Sequence, residues 1–269
     1  MTPKTFRSIV WRYWEKEGRH TLPWRQTTDP YQILVSEVML QQTQVERVLP
    51  LYQAFLVSFP TIQVLAKAPL SKVLIRWQGL GYNRRAQRLH EAARAIVQFH
   101  KSVFPETVEA LQKLPGVGPY TANAVAAFAY NKDSILIETN IRTAVTHHFF
   151  PSEQVVSDAE VGEVLEKAYP QGQAREWYAA LMDYGAHLKR SDVRINTKAK
   201  NYTKQSVFKG SGREVRGSII RALSKGSQTK RQLHKLFPPE RKGQLETQLQ
   251  ILENEKLIVR DGIHFALSS

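Results

Sequence analysis

The chain has no cysteine in its 269 residues. Disulfides, thiolate nucleophiles and cysteine-ligated zinc or iron–sulfur centres are therefore excluded. His90, His147 and His148 have no metal-ligand spacing around them, and no dinucleotide or phosphate-binding Gly fingerprint is present, so no cofactor is expected. Nor is there an apolar run of about 18 residues or a charged-then-apolar leader, which argues against membrane insertion and secretion. A soluble, intracellular protein is expected.

Acidic charge is also scarce: 24 Asp and Glu stand against 38 Lys and Arg, a net +14. Residues 185–269 hold 18 basic against 7 acidic residues, a net +11, and leave +3 for residues 1–184. Such a lopsided distribution suits a polyanion, of which nucleic acid is the usual one. A generally basic surface is the competing reading of composition alone. With 42% hydrophobic residues the chain can bury a full core and is long enough for two or more domains.

The most informative stretch is Leu114-Pro-Gly-Val-Gly-Pro-Tyr-Thr-Ala-Asn-Ala-Val125. Gly116 and Gly118 let the backbone turn tightly, with positive φ expected at both, and bring bare N–H groups against an anion. The helix beginning near Tyr120 directs its positive dipole end to the same place, making a sequence-independent clamp for a DNA backbone. Three more segments precede it: Leu22-Pro-Trp-Arg25, Ser36-Glu-Val-Met-Leu-Gln-Gln-Thr43 and Gly79-Leu-Gly-Tyr82, while Glu138-Thr-Asn140 follows. In order and spacing, over roughly residues 20–190, these segments resemble the helix-hairpin-helix glycosylases of base-excision DNA repair, in particular the MutY-type adenine glycosylases.

The resemblance implies a role for each matching residue. Glu37 is the acid that protonates the departing base. Its neighbours Ile33, Leu34, Val38 and Leu40 are apolar, so partial desolvation raises its pKa and keeps it able to donate. Glu138 stands where the family has a catalytic aspartate, one methylene longer, and stabilises an oxocarbenium-like sugar; a helix N-terminal acid is the competing reading. Asn140 matches the adjacent asparagine and hydrogen-bonds the sugar side, or else caps a helix. At Tyr120, strand-nicking relatives such as endonuclease III carry a Schiff-base lysine, which a phenol cannot replace, so the chain resembles the monofunctional members. Trp24, Arg25, Leu40 and Asp183 match positions around the adenine pocket. Gln42 and Tyr82 match wedge residues that enter the base stack beside the extruded nucleotide. Gly116, Gly118, Lys189, Arg190 and Arg194 complete the expected DNA contacts.

Three features depart from the family. Many relatives hold a [4Fe–4S] cluster on four cysteines after a segment like Ala180–Ala186, where this chain continues His187-Leu-Lys-Arg-Ser-Asp-Val-Arg194. Asn83 replaces the second tyrosine of many MutY-type sequences. Those enzymes also usually carry a MutT-like C-terminal domain, and this chain carries a different pattern.

Apolar residues recur at helical spacing along most of the sequence. One helix is expected over Tyr31–Leu56 with a break near Pro50, followed by helices at Ile62–Lys67, Leu70–Gln78, Asn83–Phe99, Val108–Leu114 and Tyr120–Phe128, with more over 141–150 and 158–188. Towards the C-terminus, helices at Arg216–Leu223, Thr229–Phe237 and Lys242–Lys256 precede strands joined by Asp261-Gly262, a two-residue hairpin signal. The expected fold is all-α: a helix-hairpin-helix core of two helical subdomains with a cleft (1–188), a basic linker or wrapping loop (189–212) and a winged-helix domain (213–269). Glu246, Glu253 and Glu255 make the third C-terminal helix poor chemistry for a groove reader, so the linker and the first two helices are expected to touch DNA.

The function expected is that of a monomeric, monofunctional DNA N-glycosylase acting on double-stranded DNA with a mispaired or damaged base, adenine foremost, in the cytoplasm or nucleoid. The alternatives are a thymine/uracil mismatch glycosylase and a DNA-binding or regulatory protein that has lost catalysis through Glu138. Without cysteine, the purified protein should be colourless and iron-free, and chelators should not unfold it. Elemental analysis and chelator-dependent melting check this, and stoichiometric iron would overturn it.

Overall fold

The computed structural model describes residues 1–153, 155–191 and 207–269. Arg194 and the greater part of the basic linker lie outside these residues. The helices are α1 (Pro3–Glu17), α2 (Pro30–Leu40), α3 (Val45–Ser58), α4 (Ile62–Lys67), α5 (Leu70–Arg76), α6 (Arg84–Phe99) and α7 (Val108–Gln112). They continue with α8 (Pro119–Tyr130), α9 (Thr139–Phe149), α10 (Asp158–Ala168), α11 (Ala174–Ser191), α12 (Gly212–Leu223), α13 (Lys230–His234) and α14 (Lys242–Asn254). Strands β1 (Gln228–Thr229), β2 (Ile258–Asp261) and β3 (His264–Leu267) form one antiparallel sheet of order β1-β3-β2. Among the described residues, no helix is long and apolar enough to cross a membrane.

By its contacts the chain forms two compact units that interleave in sequence. The first holds Met1–Glu37, Pro105–Lys113 and the described residues from Val117 to Ser191. Its core gathers Phe6 and Val10 of α1, Ile141 and Val145 of α9, Leu165 of α10, and Trp177 and Leu181 of α11, all fully buried. Helix α8 starts on Pro119, whose missing N–H costs nothing at a first turn. Buried alanines lie on most of its faces, as suits a central helix. It ends on Asn131 in the left-handed region (φ 52°), and Arg175 donates to the carbonyls of Phe128 (2.6 Å) and Ala129 (2.9 Å) that its last turn leaves open. Helix α10 opens with a reciprocal capping box between Ser157 and Glu160.

The second unit holds Val38–Phe104, Leu114–Gly116 and the described residues from Val207 to Ser269. Tyr52, Phe55, Leu65, Leu74, Trp77 and Leu89 form the buried centre of its α3–α6 part. In the C-terminal part, Val215, Ile219, Leu233, Leu245, Leu249 and Leu252 bury the inner faces of α12, α13 and α14 beneath Phe265 of β3. The two-residue hairpin forms one position later than the sequence indicates: Asp261 pairs with His264 at the end of β2, and Gly262-Ile263 make the turn, with Gly262 at φ 58°. Contacts place 207–269 in one unit with 38–104, where sequence pattern alone divides the chain at 188 and 213. The physical reason is polar as well as apolar: Gln87 of α6 donates to the Glu255 carbonyl (3.1 Å), and the Glu255 carboxylate pairs with Arg216 and Arg84.

Two expected helices divide differently. The break in Tyr31–Leu56 falls at 41–44, and Pro50 lies inside α3. Gln42 takes φ 53°, which ends α2, and Arg85 bonds the carbonyls of Val38, Met39 and Gln41 that a continuous helix would use. The stretch 158–188 is two helices separated by Pro170 and by Gly172 at φ 76°.

Helices α9 and α11 approach so closely that a Cβ on Gly185 would lie 1.9 Å from the Asn140 carbonyl oxygen. Gly185→Ala is therefore expected to destabilise the fold by about 1–3 kcal/mol and to displace the start of α9. Urea denaturation checks the first effect, and unchanged stability would show that the helices can part freely.

Candidate active site

Helix α2 is apolar around Glu37: Ile33, Leu34, Val35 and Met39 are buried, and Glu37 itself is only 7% exposed. Burial first, and then the nearby Glu138 charge, push its carboxyl up to about 7 against the lowering effects of a Tyr120 hydrogen bond and the Arg25 guanidinium. Tyr120, in the first turn of α8, is raised well above an ordinary phenol by burial and by both carboxylates. It donates to Glu37 rather than ionising.

Glu138 is the N-cap of α9. Its Oε1 accepts from the N–H groups of Asn140 and Ile141, both at 2.8 Å. Cap and site residue are thus one group, since the cap uses only one of the two oxygens. Burial raises the Glu138 carboxyl, while those two N–H groups, Arg142 and Lys189 lower it. Glu37 has one phenol and one cation, Arg25, where Glu138 has two backbone donors and two cations, so Glu138 ionises first and leaves the proton on Glu37. Asn140 contributes its backbone N–H to this cap. Lys189 and Arg190 are exposed in the last turn of α11.

Trp24 and Arg25 lie on the short 3₁₀ turn Pro23–Arg25. Arg25 bonds both oxygens of Asp183 (2.5 and 2.9 Å), and Arg19 adds its own backbone N–H and guanidinium. Asp183 is 2% exposed and held below the usual carboxylate range by those bonds, although burial alone would raise it. In this arrangement the carboxylate fastens the turn to α11.

Within the second unit, Leu40 ends α2, and Gln42 and Tyr82 both lie in left-handed backbone (φ 53° and 46°). One side chain holds both turns. The Arg85 guanidinium donates to the carbonyls of Val38 (2.7 Å), Met39 (3.1 Å) and Gln41 (2.6 Å) and to Leu80 (3.1 Å), and lies over the rings of Trp77 and Tyr82. Burial lowers it to about 10, still a cation at neutral pH. Gly116 has the expected positive φ (74°), and a Cβ there would meet the Arg88 Cβ at 2.4 Å. Gly118 does not: its φ is −82°, with open space at the Cβ position. It serves as the extended N-cap of α8, and the sharp reversal is made at Gly116 alone.

A family profile, HhH-GPD superfamily base excision DNA repair protein, matches residues 35–171. The chain belongs to this superfamily. This HhH-GPD chain is similar to an adenine DNA glycosylase of Mycolicibacterium smegmatis, 42% identical over 175 residues that cover 64% of this chain and 60% of that protein. It is also similar to a thymine/uracil-DNA glycosylase of Methanothermobacter thermautotrophicus, 31% identical over 186 residues that cover 68% of this chain and 84% of that protein. Among solved structures, a thermostable thymine-DNA glycosylase matches with a TM-score of 0.60 at 29% identity, covering 68% of this chain and 86% of that one. The chain spans 58–65% of the length of four adenine DNA glycosylases that it matches.

Sequence reasoning missed Arg85, Arg19 and Gly185 of this HhH-GPD chain. Arg85 and Gly185 meet backbone atoms distant in sequence, which leave no residue pattern to read; the only local cue to Arg85 is its place just after Gly79-Leu-Gly-Tyr82. Because the folded pKa of Glu37 lies above its ordinary 4.5, the folded state holds the extra proton between about pH 4.5 and 7, and stability falls as pH rises through that window. Glu37→Gln should remove this loss, making the variant gain on the native protein by about 1–3 kcal/mol between pH 5 and pH 8. Parallel urea-denaturation profiles for the two proteins would contradict the buried, protonated Glu37.

Proposed function

We propose that the chain is a monofunctional DNA N-glycosylase that hydrolyses the N-glycosidic bond of an extruded, mispaired base in duplex DNA, adenine in the first place. The observation that carries this reading is the buried pair of carboxyl groups, Glu37 pushed up to about 7 by burial and by Glu138, and Glu138 bonded by the N–H groups of Asn140 and Ile141. Glu37 gives its proton to a ring nitrogen of the leaving purine, which departs neutral with the bonding electrons of the C1′–N bond. Positive charge then builds on the sugar, and the Glu138 carboxylate stabilises it. Water adds to C1′ and returns a proton to the Glu37 carboxylate, giving an abasic sugar and restoring the starting state. Tyr120 orients Glu37 through their hydrogen bond. An acid poised to protonate a base favours adenine, since thymine can leave as a resonance-stabilised anion.

A second reading, a thymine or uracil mismatch glycosylase, has its own support in the relative whose length this chain covers to 84%. Single-turnover assays on a panel of mismatched duplexes separate the two by the base released. On the adenine reading, Glu37→Gln lowers base release by about 10²–10⁴-fold with duplex binding nearly unchanged, and native activity declines above about pH 7 as Glu37 ionises. The product is an intact abasic strand that breaks only after alkali, and borohydride traps no adduct. Full activity in Glu37→Gln would remove that residue from the mechanism, and efficient trapping would overturn the monofunctional assignment.

A further inference from the structure

Among the described residues, ionisable groups on four helices act on or are acted on by Glu138: Glu37 of α2, Tyr120 of α8, Arg142 of α9 and Lys189 of α11. The first two bring no positive charge. Arg142 and Lys189 do, and both favour the ionised carboxyl against its burial. These two cations are differently committed. Arg142 donates through Nε (3.0 Å) and Nη2 (2.5 Å) to one oxygen of Asp158 at the start of α10, so part of its charge is already answered. Lys189 is exposed, and among the described residues it has no carboxylate partner. Its whole charge is available to its surroundings.

The helix geometry explains how an exposed lysine acts on a buried acid. Gly185 and Lys189 are four residues apart on α11 and therefore share one face of it. That face touches the first turn of α9, where Gly185 leaves no room even for a Cβ beside the Asn140 carbonyl. Helical side chains lean towards the N-terminus of their own helix, so Lys189 leans back over this contact. Glu138 caps α9 two residues before Asn140, at the same crossing. Its carboxylate is bonded to backbone N–H groups and, among the described residues, is in no ion pair, so the lysine acts by its field and not by a bond. The next residue, Arg190, is turned about 100° round the helix and acts on Tyr13 of α1 instead.

We propose that Lys189 is a positioning residue of the active site, whose ammonium faces Glu138 from the last turn of α11 and keeps that carboxylate charged before DNA arrives. This role is separate from the DNA contact expected of Lys189. It rests on the glycosylase reading only for the use made of the charge, which is to stabilise the sugar cation. A basic residue in a last turn also offsets the helix dipole, but that role leaves Glu138 unaffected.

NMR of the full chain, isotopically labelled at its glutamate carboxyl carbons, follows Glu138 directly, with Glu138→Gln identifying its signal. In Lys189→Gln the Glu138 titration should move to higher pH by roughly half a pH unit, as expected for one charge a few ångströms away across water. Lys189→Arg should restore the native position, and Arg190→Gln should leave it there, with well-dispersed spectra confirming that each variant is folded. In single-turnover base release at saturating enzyme, the low-pH limb of the Lys189→Gln profile should rise by the same amount, leaving activity below it about threefold lower. The high-pH limb set by Glu37 should stay at about 7. An unmoved Glu138 signal in Lys189→Gln, an equal shift in Arg190→Gln, or an activity loss by one factor at every pH with neither limb moved would overturn the assignment. The titration is read without DNA, so the two readings separate. A shifted carboxyl without base release removes the glycosylase reading alone, and base release with an unshifted carboxyl removes this role of Lys189 alone.

Discussion

Two carboxyl groups close together and shielded from water cannot both ionise at ordinary cost, because each charge raises the energy of the other and burial penalises both. In this chain the conflict is resolved by unequal hydrogen bonding. Glu138 receives two backbone N–H groups at the start of α9 and lies near Arg142 and Lys189, whereas Glu37 sits among apolar residues of α2 with a phenol for a partner and Arg25 as its one nearby cation. Identical functional groups thereby differ in how readily they ionise. The packing of the first unit serves that difference: α2 supplies the apolar surroundings, α8 brings Tyr120 in its first turn, and α11 gives up a side chain at Gly185 so that α9 can approach.

The second unit depends on a comparable constraint with the sign reversed. Two turns hold Gln42 and Tyr82 in left-handed backbone, which costs about 1–3 kcal/mol for residues with a side chain. The Arg85 guanidinium offsets that strain by bonding the carbonyls that both turns expose. An Arg→Lys replacement there would keep the charge and lose the fork that reaches both turns. Exposed side chains on rigid, strained turns suit insertion into another molecule, because little further ordering is needed on binding.

Charge in the C-terminal part is organised rather than merely abundant. Glu246 of α14 pairs with Lys230 and His234, and Glu255 at its C-cap with Arg216 and Arg84, while Glu253 has no ion pair among the described residues. The acidity that sequence reading held against this helix is therefore offset at two of its three positions. Among the described residues, Arg221 of α12 and Arg47 of α3 have no carboxylate partner, and both line one cavity of the second unit.

Short-range chemistry was legible in the sequence. The helix starts expected at Ile62, Val108 and 158 are the observed ones, each after a hydroxyl cap at Thr61, Thr107 or Ser157; the C-terminal hairpin follows from Asp261-Gly262 to within one residue, and the candidate acids Glu37 and Glu138 from the segments that contain them. These features depend on neighbours within a few residues, so local order is enough to determine them. Gly118 was misread because two glycines in one turn look alike, and only the completed backbone shows that the reversal needs one. Arg85, Gly185, the doubly paired Asp183 and the grouping of 207–269 with 38–104 were decided by tertiary structure alone. In each case the partner is distant in sequence, and for Arg85 and Gly185 it is a backbone atom, whose chemistry is the same at every residue and so leaves no trace in the order of side chains.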